Sequence, residues 1–215
     1  MSDVKTTILL VRHGETVANR EGIFRGRKDF PLNENGIAQA KQLAEHITRN
    51  FKIEAIYSSP LSRATQTAEP IAKMFNIPID IENDLTNISL GEWEGVPYEK
   101  IEREFPEQYH LWLTEPEKLR IPGGETLADV QSRSVASLKK LVHKHIGQTI
   151  AVVSHRAVLK PLIAGILDIA EPYFWKIHID NAAYCVVNYN SERGFALYQS
   201  NVNFYLDQFV IEPGG

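Results

Sequence analysis

The sequence predicts an α/β fold: a mainly parallel sheet with helices on both faces, three layers deep as α/β/α. Two observations carry the prediction. Short apolar runs alternate with stretches of helical periodicity along the 215 residues. Several of those runs are apolar throughout, as strands covered on both faces must be.

The elements follow in order. "TTILLV" (6–11) reads as a fully buried strand. "NENGIAQAKQLAEHITRNF" sets Ile37, Ala40, Leu43, Ala44, Ile47 and Phe51 on one helical face, with Asn33 as its cap. "EAIYSS" (54–59) is a second strand, "LSRATQTAEPIAKMF" a helix and "IPIDI" a third strand. From Leu85 to Thr126 the rhythm breaks. There "PYEKIEREFPEQYHLWLTEPEKL" reads as one or two helices started by Pro97 and Pro106, inserted over one side of the sheet. This insert carries Trp93 and Trp112 and could roof a pocket. A long amphipathic helix runs from Thr126 to His145, with Leu127, Val130, Ser134, Leu138, Leu141 and Val142 inward. The strand "TIAVVS" (149–154) and the helix "HRAVLKPLIAGILDI" come next, and "AAYCVVNYN" and "GFALYQS" form a hairpin around "SERG". The chain shows no internal repeat or linker, so one domain spanning 1–215 is expected, with about 86–125 as a lid or specificity region.

Composition narrows the function. With 43% hydrophobic and 23% charged residues the chain has the make-up of a soluble globular protein. A formal net charge of −4 argues against a nucleic-acid binder, while leaving room for a local basic pocket. The N-terminus "MSDVKTTILLVRHG" lacks a signal-peptide core, and no run of about 18 apolar residues suggests a membrane span. Cys185 is the only cysteine and sits in an apolar strand, which fits a core position in a reducing, cytoplasmic protein.

Three strand ends carry polar groups of one kind. The first ends in Arg12-His13-Gly14, and the second in Ser58-Ser59-Pro60 with Arg63 in the next helical turn. The strand at 149–154 ends in Ser154-His155-Arg156. Ligands of open parallel sheets bind beyond the carboxyl ends of the strands, which is where these groups would meet. Guanidinium forks there match the oxygens of a compact dianion. Surrounding positive charge keeps a histidine neutral, and a neutral imidazole is a competent nucleophile. Gly14 permits a close backbone approach to a ligand. The chain has no Walker-type, DxD or HExxH motif, and His143 and His145, two apart on a helix, make a poor chelate, so no metal or other cofactor is expected.

The ordered set "LVRHGETVAN", "FRGRKDFPLNENGIAQA", "IYSSPLSRATQTA", "LGEWEG", "PGGETLADVQSR" and "VVSHRAVLK" resembles the histidine phosphatase superfamily, in its phosphoglycerate-mutase-like branch. The resemblance covers nearly the whole chain. It implies that His13 attacks phosphorus to form a phosphohistidine, while Arg12, Arg63 and His155 bind the phosphoryl oxygens. Asn19 would add a hydrogen bond, and Gly26 would bring its loop to the substrate with Arg25 or Arg27 beside it.

Two departures stand out. Members of the branch usually place a glutamate before the "GEWEG" segment to protonate the leaving oxygen, whereas this chain has Asn87. An amide cannot be a general acid, and losing one typically costs about 10²–10⁴ in rate. Glu92 is the first candidate to replace it, followed by Glu94, Asp84 and an acidic group of the substrate itself. The second departure is Arg156, where the branch commonly has glycine. It is either a further anion contact, to a substrate carboxylate for example, or a solvent-facing side chain.

The resemblance implies a metal-independent phosphatase acting on a small phosphorylated metabolite. The short insert favours this over a phosphoglycerate mutase. "FWKIHIDNAAYCVVNY" is similar to metal-independent phosphoserine phosphatases. A weakly active phosphate-binding subunit is the reading that Asn87 keeps open. The apolar C-terminal strands could pair across a homodimer.

Overall fold

The computed structural model describes residues 4–208; the first three residues of the stretch read above for a signal peptide lie outside them. The elements are β1 (Thr6–Arg12), α1 (Val17–Arg20), β2 (Ile23–Phe24), α2 (Glu34–Asn50), β3 (Ala55–Ser58), α3 (Ser62–Phe75) and β4 (Ile79–Ile81). Then come β5 (Val96–Pro97), α4 (Tyr98–Glu104), α5 (Pro106–Thr114), α6 (Leu127–Lys144), β6 (Thr149–Ser154), α7 (Arg156–Ile166), β7 (Tyr184–Asn190) and β8 (Gly194–Val202).

The main sheet has the order β4-β3-β6-β1-β7-β8. Strands β4, β3, β6 and β1 are parallel, and the hairpin β7–β8 adds antiparallel to β1. The side-chain alternation of β1 explains the layers. Ile8 and Leu10 pack with Leu138, Leu141 and Leu162 of α6 and α7, and Leu9 and Val11 with Leu43, Ile47 and Ile71 of α2 and α3. All four β1 side chains are fully buried, and each such burial contributes about 1.5–3 kcal/mol. The strand carrying Arg12 is thereby fixed from both sides.

The capping at Asn33 is as expected, its side chain accepting from the Gly36 N–H. Thr126 caps α6 through a reciprocal bond with Asp129. Cys185 lies in the core between β7 and α6–α7. The insert forms α4 and α5 after Pro97 and at Pro106, and its Tyr98, Ile101 and Trp112 join Phe24, Val130 and Val158 in a third apolar cluster. Ile37 differs from expectation: it is 45% exposed. The first turn of α2 turns Gly36 and Gln39 inward instead, because both contact the loop after His13. Among the described residues no helix is long and apolar enough to cross a membrane.

Candidate active site

Strand order brings the site together. Neighbours β3, β6 and β1 end side by side, with Arg12 opposite Ser154 in register and the His13 N–H donating to the Ser154 carbonyl at 3.0 Å. Arg12, His13, Arg63 and His155 are all buried. The rings of His13 and His155 are 5.2 Å apart, centroid to centroid.

His13 Nδ1 is 2.7 Å from the Gly14 carbonyl oxygen. A carbonyl only accepts, so Nδ1 carries the proton and Nε2 keeps its lone pair. Burial first, then Arg63, Arg12 and Arg25, hold the His13 pKa well below its ordinary value. A neutral imidazole with a free Nε2 is the protonation state a nucleophile needs. His155 is held neutral by burial and by Arg63, His13, Arg25 and Arg12 in turn. Its Nδ1 accepts from Arg63 Nε at 3.3 Å, which leaves the proton on Nε2, 2.8 Å from Ser59 Oγ.

Arg63 is wholly enclosed, and its guanidinium donates to the Gly26 carbonyl at 3.0 Å and the Lys28 carbonyl at 3.1 Å. Asp29 lies 3.7 Å from the same guanidinium and accepts from the Ser62 N–H at 3.1 Å, which caps α3 where Leu61 has no side-chain group to offer. Arg12 donates to the Ile179 carbonyl at 2.7 Å. Asn19 is buried, and its Oδ1 closes the capping box of α1 by accepting from Thr16.

A small pocket opens over this group. His13, Arg25, Gly26, Asn87, His155 and Arg156 line it together with Phe24, Tyr98 and Trp112. Of the two arginines flanking Gly26, Arg25 lines the pocket, while Arg27 turns outward to Glu125 at 3.1 Å. Arg156 is buried, with its guanidinium over the Trp175 ring at 5.6 Å, so it is no solvent-facing side chain.

Glu92 is not at the pocket. It sits in the short turn Gly91–Trp93, whose buried side belongs to Trp93, and its side chain is exposed. Glu94 accepts from the backbone N–H groups of Arg27 and Leu90, each at 3.0 Å. Asp84 does not line the pocket, and Glu125 is paired with Arg27 and Arg133. Gly14 has a structural use as well: a Cβ there would meet the Gly36 carbonyl oxygen at 2.7 Å, so its small size lets α2 approach.

The model of the histidine phosphatase superfamily (branch 1) matches residues 8–202. Phosphoserine phosphatase 1 of Hydrogenobacter thermophilus is 35% identical over 95% of this chain and 96% of its own. A metal-independent phosphoserine phosphatase of Arabidopsis thaliana is 37% identical over 73% of this chain and 67% of its own. The crystal structure of a phosphoserine phosphatase mutant from Entamoeba histolytica with phosphoserine covers 94% of this chain and 99% of its own, with a TM-score of 0.83 and 29% identity. The chain belongs to the histidine phosphatase superfamily, branch 1. It is a phosphatase, a hydrolase of phosphomonoesters.

Three supports of this histidine phosphatase site were not singled out from sequence. Asn181 Nδ2 donates to the His13 carbonyl at 3.1 Å, Thr67 Oγ1 accepts from the Gly14 N–H at 3.0 Å, and Glu15 accepts from Asn33 and Asn35 at 2.6 and 2.8 Å. Thr67 was findable, since it lies one helical turn after Arg63 on the same face of α3. Asn181 and Glu15 had a signal too, since they lie in the segments "FWKIHIDNAAYCVVNY" and "LVRHGETVAN" that carry the resemblance.

Proposed function

We propose that this phosphatase works through a phosphohistidine at His13. His13 Nε2 bonds to phosphorus as the ester P–O bond breaks, and water then displaces the imidazole to release inorganic phosphate. Arg12, Arg63 and His155 bind the phosphoryl oxygens and stabilise the charge they carry in transfer, with Arg25, Asn19 and the Gly26 loop beside them. The observation that carries this reading is the 2.7 Å contact of His13 Nδ1 with Gly14, which leaves Nε2 as the reactive nitrogen.

The substrate is a small phosphorylated metabolite of the phosphoserine type. The names of the Hydrogenobacter and Arabidopsis relatives and the phosphoserine-bound Entamoeba structure support it. Residues 86–125 act as the specificity region, since Asn87, Ile88, Leu90, Tyr98 and Trp112 of that stretch line the pocket. We assign the protein to the cytoplasm, with no metal, nucleic-acid or membrane requirement. A homodimer would form through the outer strand β8, where Leu197 and Tyr198 are exposed.

Phosphate release in the presence of a chelator tests the reading, with p-nitrophenyl phosphate, phosphoserine and 3-phosphoglycerate compared. Chelator-resistant release, accompanied by an acid-labile phosphoenzyme, is the expected result. Interconversion of 2- and 3-phosphoglycerate without phosphate release would replace it with the mutase reading. No release from any ester would leave a phosphate-binding subunit.

A further inference from the structure

Asn87 occupies the wall of the His13 pocket and is 94% buried, being 6% exposed. Its Nδ2 donates to the Gly26 carbonyl at 2.9 Å, and because a carbonyl can only accept, this bond fixes which end of the amide is oxygen. The Oδ1 that remains is buried in the pocket wall and accepts no hydrogen bond from the protein. A buried acceptor without a donor calls for one that arrives from outside. Around the same pocket stand Phe24, Tyr98 and Trp112, with Phe24 4.3 Å from the Tyr98 ring and 5.5 Å from the Trp112 ring. An amide and aromatic rings lining one pocket are the chemistry that recognises an ammonium group. Among the described residues lining the pocket there is no carboxylic acid.

We infer that Asn87 Oδ1 holds an ammonium group of the substrate beside the ester oxygen, and that this group protonates the departing alkoxide in place of a protein acid. The inference rests on the phosphatase reading above. In the step, the His13 Nε2–P bond forms and the P–O bond breaks, with its electron pair going to the leaving oxygen. A proton passes from the substrate ammonium to that oxygen, giving an amino alcohol whose amine regains a proton from water. The transfer is downhill, because an alkylammonium with a pKa of about 10 is a far stronger acid than an alcohol near water's 15.7. A hydroxyl at the same place would gain nothing. The substrate class is therefore the phosphate monoester with an amine one carbon from the ester-bearing carbon.

Matched esters test it on the full chain: 2-aminoethyl phosphate against ethyl phosphate, and phosphoserine against the same ester lacking its amine. In the native protein the amine-bearing member is expected to have a kcat/KM about 10²–10⁴ higher, the usual worth of a general acid. The advantage should shrink as pH rises through the amine's pKa, since only the ammonium carries the proton. Asn87→Leu should reduce the ratio to below about tenfold. A ratio taken within one variant does not depend on how much of it folds. Asn87→Glu should raise ethyl phosphate hydrolysis at least about tenfold by supplying a protein acid. Equal rates within the pairs, or an unchanged ratio in Asn87→Leu, overturn the inference, as does an ethyl ester that stays as slow in Asn87→Glu. If native protein fails to hydrolyse even p-nitrophenyl phosphate, whose leaving group needs no proton, the phosphatase reading itself falls.

Discussion

Arg63 and Asn87 donate to one and the same acceptor, the carbonyl oxygen of Gly26, at 3.0 and 2.9 Å. The Arg63 guanidinium and the Asn87 amide are thus set by a single peptide group. That peptide belongs to a residue at φ +52, a conformation in which a side chain is strained. A Cβ at Gly26 would also run into the Glu94 carboxylate. Gly26→Ala is accordingly expected to lose about 1–3 kcal/mol of stability and to slow turnover together. Thermal unfolding and kcat/KM on p-nitrophenyl phosphate check it. A variant as stable and as fast as the native protein would remove Gly26 from this role.

His13→Asn should abolish turnover and acid-labile phosphorylation at once. Asparagine approximates the ring's polarity without a nucleophilic nitrogen, so a residual rate at least about 10³ below native is expected. Labelling with a phosphorylated substrate followed by acid and base treatment reads the intermediate directly. Normal turnover in this variant would move the nucleophile elsewhere.

Acid stability follows from the two buried imidazoles. Burial, followed by the arginines around them, pulls the pKa of His13 and of His155 down in the folded protein. The unfolded chain takes up those protons near pH 6.5, while the folded chain does not. Stability therefore falls as pH drops below about 6.5, and the fall ends only beneath the folded pKa values; above 6.5 the pair adds no slope. Each histidine contributes about 1.4 kcal/mol per pH unit inside that window. Denaturant unfolding between pH 5 and 7 should show it, and His155→Gln should make the slope shallower.

Arg156→Ala probes the pocket wall beside Trp175. The guanidinium lies over Trp175, whose indole N–H is itself tied to the Trp112 carbonyl at 2.9 Å. Loss of this cation should raise KM for phosphoserine about tenfold more than for 2-aminoethyl phosphate, which carries no carboxylate. An equal change in both would make Arg156 a packing residue rather than a carboxylate contact.

The sheet was legible because its strands carry a local signature. Uninterrupted apolar runs such as "TIAVVS" are buried on both faces, and the 3.6-residue stripe of α6 needs no knowledge of its neighbours. The stripe of α2 misled at Ile37 because a tertiary contact, Gly36 against Gly14 and Glu15, decides which side of the first turn faces in. Glu92 is near Asn87 in sequence but not at the pocket. A short turn reverses direction within three residues, so Trp93 could be buried and Glu92 exposed.

By itself the sequence determined the α/β layering, the meeting of Arg12, His13, Arg63 and His155 at adjacent strand ends, and the exchange of a glutamate for Asn87. The first two follow from periodicity, strand position and residue chemistry, all of which are local, and the third from the resemblance to the family. Only the tertiary structure decided that Arg25 rather than Arg27 faces the pocket, that Arg156 is buried on Trp175, and that Asn87 keeps an unpaired oxygen there. Each of these depends on which groups distant in sequence take up a side chain's hydrogen bonds and charge. That competition exists only once the chain is packed.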